Sequence, residues 1–287
     1  MLDLPGPLAA LARQVAGEIT DVTDCSWQRD SSAVWRLAGA CGGCWYLKRH
    51  SSARFHAREV AALRGWARAL GPGRVPELAA ADPGLLAMVV TAVPGEPVPV
   101  LGLGLREEQE VHRQAGLLLR RLHESRQAAD AGADAGRLAG RVEEHLGEAG
   151  PLLTPAQRAL ARECAARLAR LGPRAPAVAG HGDFQPRNWI WDPGSDRLGV
   201  IDWERAEPAA AVRDLARLEY GPWDRRPDLR ERFFAGYGRA LTPEEREMLA
   251  CYAVADALSG LCWGRANGDE EVVNRAWRTF ERSAGAR

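Results

Sequence analysis

The feature that most limits what this chain can fold into is a change of pattern at Pro94-Gly95-Glu96-Pro97. Before it, apolar residues come in short runs separated by turns; after it, they recur at helical spacing over long stretches. Ser26 to Gln28, Ala33 to Leu37 and Trp45 to Leu47 read as strands of an antiparallel sheet, and Val75 to Ala80 and Leu85 to Val90 as two more. Between these groups, Ala53 to Leu70 carries Leu63, Trp66 and Leu70 on one helical stripe, which Gly71-Pro72-Gly73 ends. Beyond the break, helices are expected over Glu107 to Glu124, Arg137 to Glu148, Pro155 to Leu171, Ala211 to Leu218 and most of Pro243 to Arg282. One β-like island, Val178 to Trp203, interrupts them. The expected architecture is therefore α+β. A small N-terminal antiparallel β-sheet lobe with one helix, residues 1–94, precedes a larger, mainly helical C-terminal lobe, residues 95–287. Ala128 to Gly136 is small and polar enough to read as a mobile segment.

Composition narrows the function. Lys and Arg together number 38 and so do Asp and Glu, so no net field draws the chain to nucleic acid or to an anionic membrane, and neither is an expected partner. Met1 to Gly17 has no basic leader region and no apolar run reaches membrane-spanning length, so a cytoplasmic protein is expected. The six cysteines are scattered, which suits reduced thiols. Cys41 and Cys44 flank Gly42-Gly43 and read as a hairpin turn rather than a metal or redox pair.

The island carries the chemistry. It reads His181-Gly182-Asp183-Phe184-Gln185-Pro186-Arg187-Asn188, then Trp189-Ile190-Trp191, a polar turn, and Leu198 to Trp203. Phosphoryl transfer needs a carboxylate to accept a hydroxyl proton and hard oxygen ligands for the magnesium that neutralises the phosphates. Asp183 fits the first role, and Asn188 and Asp202 fit the second. Read as structure alone, Asp183 is a turn residue and Asp202 a helix cap, both ordinary uses of Asp. The Asn five residues after Asp183, with a second Asp behind an apolar strand, narrows that alternative. The first lobe adds an independent signal. Lys48, at the end of Trp45-Tyr46-Leu47, is the only lysine in the chain, and a lone Lys among arginines points to a need for a compact ammonium. Glu59, in the following helix, is the carboxylate that would orient it.

The segment from His181 to Trp203 is similar to the aminoglycoside phosphotransferase family, a branch of the protein-kinase-like fold. Its members carry His-Gly-Asp, Asn five residues after the Asp, and then Ile-Asp-Trp. Gly182 stands where the protein-kinase loop has Arg, and Trp203-Glu204 where it has Phe-Gly. The resemblance implies a bilobal kinase-like fold with ATP or GTP as co-substrate, Mg2+, and a small-molecule hydroxyl as acceptor. That acceptor is expected to be an antibiotic, in resistance or self-resistance. It further implies that Arg29 to Val34 covers the phosphates, with Ser32 donating in place of a glycine backbone. Thr91-Ala92-Val93 would be the hinge that pairs with the purine, so Thr91 and Val93 become nucleotide-binding candidates. Asp214 would support the catalytic loop through His181, and Leu122-His123 matches a Leu-His of the family.

Members of the family act on aminoglycosides, macrolides, peptide and nucleoside antibiotics, choline and homoserine. An acidic cleft for a polycation would draw on Asp269-Glu270-Glu271, Glu204, Glu207 and Asp256. A nucleoside or an uncharged glycosylated antibiotic would stack on Trp223, Trp263, Trp277, Tyr220 or Tyr252. Two other readings remain: a metabolite kinase with the same reaction, and a nucleotide-binding module without turnover. The full set of Asp183, Asn188, Asp202 and Lys48 speaks against the second.

Overall fold

A computed structural model describes residues 4–26, 32–128, 131–149 and 152–285. The expected strand beyond Ser26, the loop residues Arg29 to Ser31, and part of the Ala128 to Gly136 segment lie outside the described residues. The chain forms two compact units, Met1–Leu103 with Pro186–Glu207, and Gly104–Gln185 with Pro208–Arg287. The units thus differ from a division after residue 94: the second half of the island groups with the first unit.

The first unit begins with α1 (Gly6–Ala16), followed by β1 (Ile19–Asp24), β2 (Ala33–Gly39), β3 (Cys44–Arg49), α2 (Ala53–Arg64), β4 (Leu78–Asp82) and β5 (Ala87–Thr91). The strands make one antiparallel sheet in the order β1-β2-β3-β5-β4. The sequence reading of a single helix here misses α1, a short Ala-rich segment with proline in its first turn. Leu8, Leu11 and Ala12 lie at i, i+3 and i+4 and form one face. That face joins Leu37, Leu47 and Val89 in a buried cluster, so α1 covers the sheet. Cys41 and Cys44 flank the β2–β3 turn, where Gly42 takes a positive φ of 79°, and both are free thiols.

After β5 the chain makes a two-residue strand, β6 (Glu96–Pro97), and enters the second unit with α3 (Leu105–Ser125), β7 (Gln127–Ala128), α4 (Gly132–Ala149), α5 (Pro155–Leu171) and β8 (Ala177–Gly180). It returns to the first unit as the hairpin β9 (Trp189–Asp192) and β10 (Arg197–Val200), in a small sheet ordered β10-β9-β6. Trp189 and Trp191 of β9 are buried. The chain then runs through β11 (Glu207–Ala210), which lies beside β8, and on to α6 (Ala216–Glu219), α7 (Pro227–Tyr237), α8 (Pro243–Asn267) and α9 (Glu270–Gly285). The stretch read as one helical region after Pro243 is two helices, divided at Gly268, whose φ is 68°. Helix starts follow side-chain caps: the Thr154 and Thr242 hydroxyls each accept a backbone N–H three residues on, from Gln157 at 3.2 Å and from Glu245 at 3.1 Å, and each threonine donates its own backbone N–H to that residue's side chain. Among the described residues, no helix is long and apolar enough to cross a membrane.

The second unit is held by an unusually close helix pair. A Cβ built on Gly116 of α3 would lie 2.0 Å from the Phe233 carbonyl oxygen of α7, and one on Gly236 of α7 would lie 1.8 Å from the Arg113 carbonyl oxygen of α3. The helices touch backbone to backbone through reciprocal glycines. This approach carries His123 of α3 to Tyr237 of α7, a contact used below. Gly236→Ala is expected to destabilise the second unit by roughly 1–3 kcal/mol, since neither carbonyl nor helix axis can yield cheaply. Gly140→Ala in α4, where an added Cβ meets nothing, should be neutral or stabilising by about 0.5–1 kcal/mol. Denaturant titration of the two variants checks the contrast.

Candidate active site

In the first unit, the sheet and α2 bring three carboxylates to one ammonium. Lys48 sits on β3 between Val34 and Met88, so its side chain is fixed by pairing on both sides. Its Nζ lies 2.6 Å from Asp202 Oδ1, 2.8 Å from Glu59 Oε2 and 3.0 Å from Glu204 Oε2. Glu59 is buried on α2, whose start is capped by Ser52, the hydroxyl accepting Phe55 N–H. The same carboxylate accepts the Trp203 backbone N–H at 3.1 Å through Oε1 and lies 2.7 Å from His50 Nε2.

Trp203 is fully buried and its indole N–H donates to the Val200 carbonyl, which anchors the Ile-Asp-Trp turn. Asp202 in that turn has φ 66°, the left-handed region that Asp tolerates better than most residues. Asn188 is buried at the end of the turn Pro186–Asn188, and its carbonyl accepts Ile201 N–H at 3.0 Å. That bond ties the segment carrying Asn188 to the segment carrying Asp202.

The charges decide how this cluster behaves. Burial alone would lower the Lys48 pKa, but Asp202, Glu59 and Glu204 outweigh it and hold the ammonium well above its ordinary value. Burial would raise Glu59, and Lys48 with His50 brings it below the usual carboxylate range instead. Glu204 goes the other way: burial, with Asp202 and Glu59 as like-charged neighbours, raises it despite Lys48. One ammonium against three carboxylates leaves an excess of negative charge among hard oxygen donors, the setting a magnesium ion takes. His50, Glu59 and Glu204 also bring ligand atoms within 4.8 Å of one another.

The other first-unit candidates fall differently. Ser32 is buried and its hydroxyl donates to Glu204 Oε2 at 3.2 Å. Thr91 ends β5, and its Oγ1 accepts Glu77 N–H at 2.9 Å. Val93 packs against Gly199, where an added Cβ would lie 2.4 Å from Val93 Cγ1.

In the second unit, β8 delivers His181-Gly182-Asp183. Asp183 is 2% exposed, and its Oδ1 accepts from Gln185 Nε2 at 2.5 Å and from the Arg217 guanidinium. Asp214 lies against this loop and bonds His181 through its backbone. Its carboxylate accepts the backbone N–H groups of His181 at 2.9 Å and Gly182 at 2.6 Å, because a turn with Gly182 at φ 79° points two amides one way. The His181 ring accepts the Asp183 N–H through Nδ1. His123 completes the support: Nε2–H donates to Asp214, and Nδ1 accepts the Tyr237 hydroxyl at 2.9 Å. Asp214 stays below its ordinary pKa, since these donors overcome a burial effect that would raise it. Burial pushes the Tyr237 hydroxyl up to about 12, so it remains a donor.

Sequence reading missed Arg217, which donates to Asp183 and binds Asp256 through Nε at 3.1 Å and Nη2 at 2.8 Å. The only signal was its place one helical turn beyond Asp214. The expected acid cluster is dispersed: Glu204 serves Lys48, Glu207 pairs with Arg58, and Asp269 caps Val272 at the start of α9. Of the aromatic candidates, Trp263 is 39% exposed and Tyr220 and Trp277 half-buried, while the others lie inside. Trp223 is buried against Phe233, and Tyr252 donates to Asp134.

The sequence pattern of the phosphotransferase enzyme family, APH, matches residues 21–250, and the chain belongs to that family. No curated protein matches. Among solved structures, the chain is similar to the GDP complex of wild-type aminoglycoside 2'-phosphotransferase-IIIa, with 14% identity, a TM-score of 0.69 and 97% of each chain covered. It is similar to a thermostable mutant of aminoglycoside phosphotransferase APH(4)-Ia in a ternary complex with ADP and hygromycin B, at 17% identity and TM-score 0.72, covering 96% of this chain and 97% of that one. It is also similar to a choline/ethanolamine kinase family protein from Mesorhizobium loti, at 22% identity and TM-score 0.69, covering 97% and 92%. The protein is thus a kinase-type phosphotransferase with the kinase-like fold.

Lys48→Met should cost about 3–5 kcal/mol near pH 7, because it strands buried carboxylates. Without Lys48, burial lifts the folded-state pKa of Glu59 above its unfolded value, so the proton it then binds adds stability below that pKa and is lost as pH rises. The penalty therefore shrinks on acidification from pH 7 toward 5. Unfolding curves at the two pH values, with an unchanged gap as the contrary result, decide it.

Proposed function

We propose that this phosphotransferase moves the γ-phosphate of ATP or GTP to a hydroxyl of a small molecule in the cytoplasm, with an antibiotic as acceptor and resistance or self-resistance as its role. The observation that carries the reading is the buried Lys48–Glu59–Asp202 cluster in a chain of this family. Lys48, oriented by Glu59, meets the α- and β-phosphates, and Ser32, Thr91 and Val93 contribute to the nucleotide site. Asn188 and Asp202 hold magnesium, which when bound neutralises charge on the phosphates. Asp183 positions the acceptor hydroxyl and accepts its proton as the oxygen forms a bond to the γ-phosphorus and the bond to the leaving diphosphate breaks. Gln185 and Arg217 keep the Asp183 carboxylate oriented.

The nucleotide complexes of the similar structures, one with GDP and one with ADP, support a purine nucleotide as donor and leave ATP and GTP as alternatives. A metabolite kinase with the same reaction is the second reading, favoured by the likeness to a choline/ethanolamine kinase family protein.

Magnesium-dependent ADP or GDP release across aminoglycoside, macrolide, peptide and nucleoside antibiotics, choline and homoserine tests both readings. Asp183→Ala is expected to lower turnover on the order of 10²–10⁴-fold while nucleotide still binds. Asp202→Ala should remove magnesium-dependent nucleotide binding as well. An Asp183→Ala enzyme with near-full kcat would overturn the assignment.

A further inference from the structure

A shallow concavity of the second unit has Arg217 in its wall. Small residues, among them Ala216, Ala253 and Ala257, form much of the lining, and Tyr220 is its aromatic member. Its charged members are Arg217, Arg275 and Asp256, two positive against one negative, so the wall offers a cation no net attraction. Arg217 is more than a wall residue. It is largely buried, donates to Oδ1 of Asp183, and sets its planar fork on both oxygens of Asp256. A guanidinium held at three points is rigid, and a single ammonium cannot copy that geometry.

We infer that Arg217 is a specificity-determining residue that occupies the place of an acceptor cation between Asp183 and Asp256, so that this chain takes hydroxyl acceptors with no positive charge near the reacting oxygen. The inference rests on the reading of Asp183 as the base. An amine-bearing acceptor that approached Asp183 would meet a like charge already paired with both nearby carboxylates. To bind, it would have to expel Arg217 from a desolvated ion-pair network, which leaves a buried cation unpaired. A neutral acceptor has no charge to set against the Arg217 guanidinium and need not displace it, so the ion pairs to Asp183 and Asp256 stay intact. The selection is thus made by exclusion, through a residue that positions the base rather than reacting.

The experiment compares equilibrium binding and turnover of a neutral nucleoside, a neutral sugar alcohol, choline and kanamycin on the full chain, as wild type, Arg217→Gln and Arg217→Lys. The wild type is expected to bind the neutral compounds and to exclude the cations. Arg217→Gln should tighten cation binding about tenfold or more, and Arg217→Lys, which keeps the charge without the fork, should restore only part of the exclusion. If Arg217→Gln fails to fold, Asp256→Asn serves instead: it makes the wall more positive and should weaken residual cation binding further. Wild-type enzyme that binds kanamycin or choline as tightly as the neutral compounds overturns the inference. So does an Arg217→Gln protein that shows no gain in cation binding. Binding is read without turnover, so the absence of phosphoryl transfer would count against the proposed reaction while the order of binding still decides the role of Arg217.

Discussion

Most of the first unit is arranged around one buried ammonium. Lys48 can stay charged out of water only because Glu59, Asp202 and Glu204 surround it, and each reaches it by a different structural device. Glu59 comes on a capped helix, Asp202 on a left-handed turn and Glu204 two residues further along the same turn. Removing any one changes the charge balance felt by the others. The sheet register that fixes Lys48 between Val34 and Met88 is therefore also a constraint on the electrostatics of the site.

The second unit is built on a different logic. Asp183 is not held by opposite charge alone but by a chain of donors running inward: Tyr237 to His123, His123 to Asp214, and two loop amides to the same Asp214. The reciprocal glycines of α3 and α7 allow that chain to close, since bulkier residues would hold Tyr237 away from His123. Packing at a helix crossing thereby sets the orientation of a loop far from it in sequence.

Much of this was legible in the residues. The strand runs, the helix stripes and the Asp183, Asn188, Asp202 and Lys48 set are local signals with chemical meaning, and the fold class and family follow from them. Helix α1 was not legible, because its apolar face is short and alanine-rich and acquires meaning only against the sheet. Arg217 was hidden for a different reason: the chain has many arginines, and only tertiary contact separates one that grips Asp183 from those that face water. Asp214 was placed beside the right loop, but that it holds two backbone amides was not legible, since a backbone amide leaves no mark on a sequence pattern. Of the tryptophans considered for stacking, Trp223 is spent on packing against Phe233, whereas Trp263 stays exposed.

The path of the chain has a temporal side. The first unit is not contiguous: residues up to Leu103 supply the sheet, α1 and α2, and Pro186–Glu207 arrives only after the chain has traversed α3, α4 and α5. On a ribosome, Lys48 and Glu59 emerge long before Asp202 and Glu204, and until residue 207 has been made the ammonium has only part of its counter-charge. The nascent sheet must wait with a half-matched charge at its centre. Completion of the first unit is thereby tied to synthesis of the helices encoded between its two pieces, which makes the order of assembly a property written into the topology.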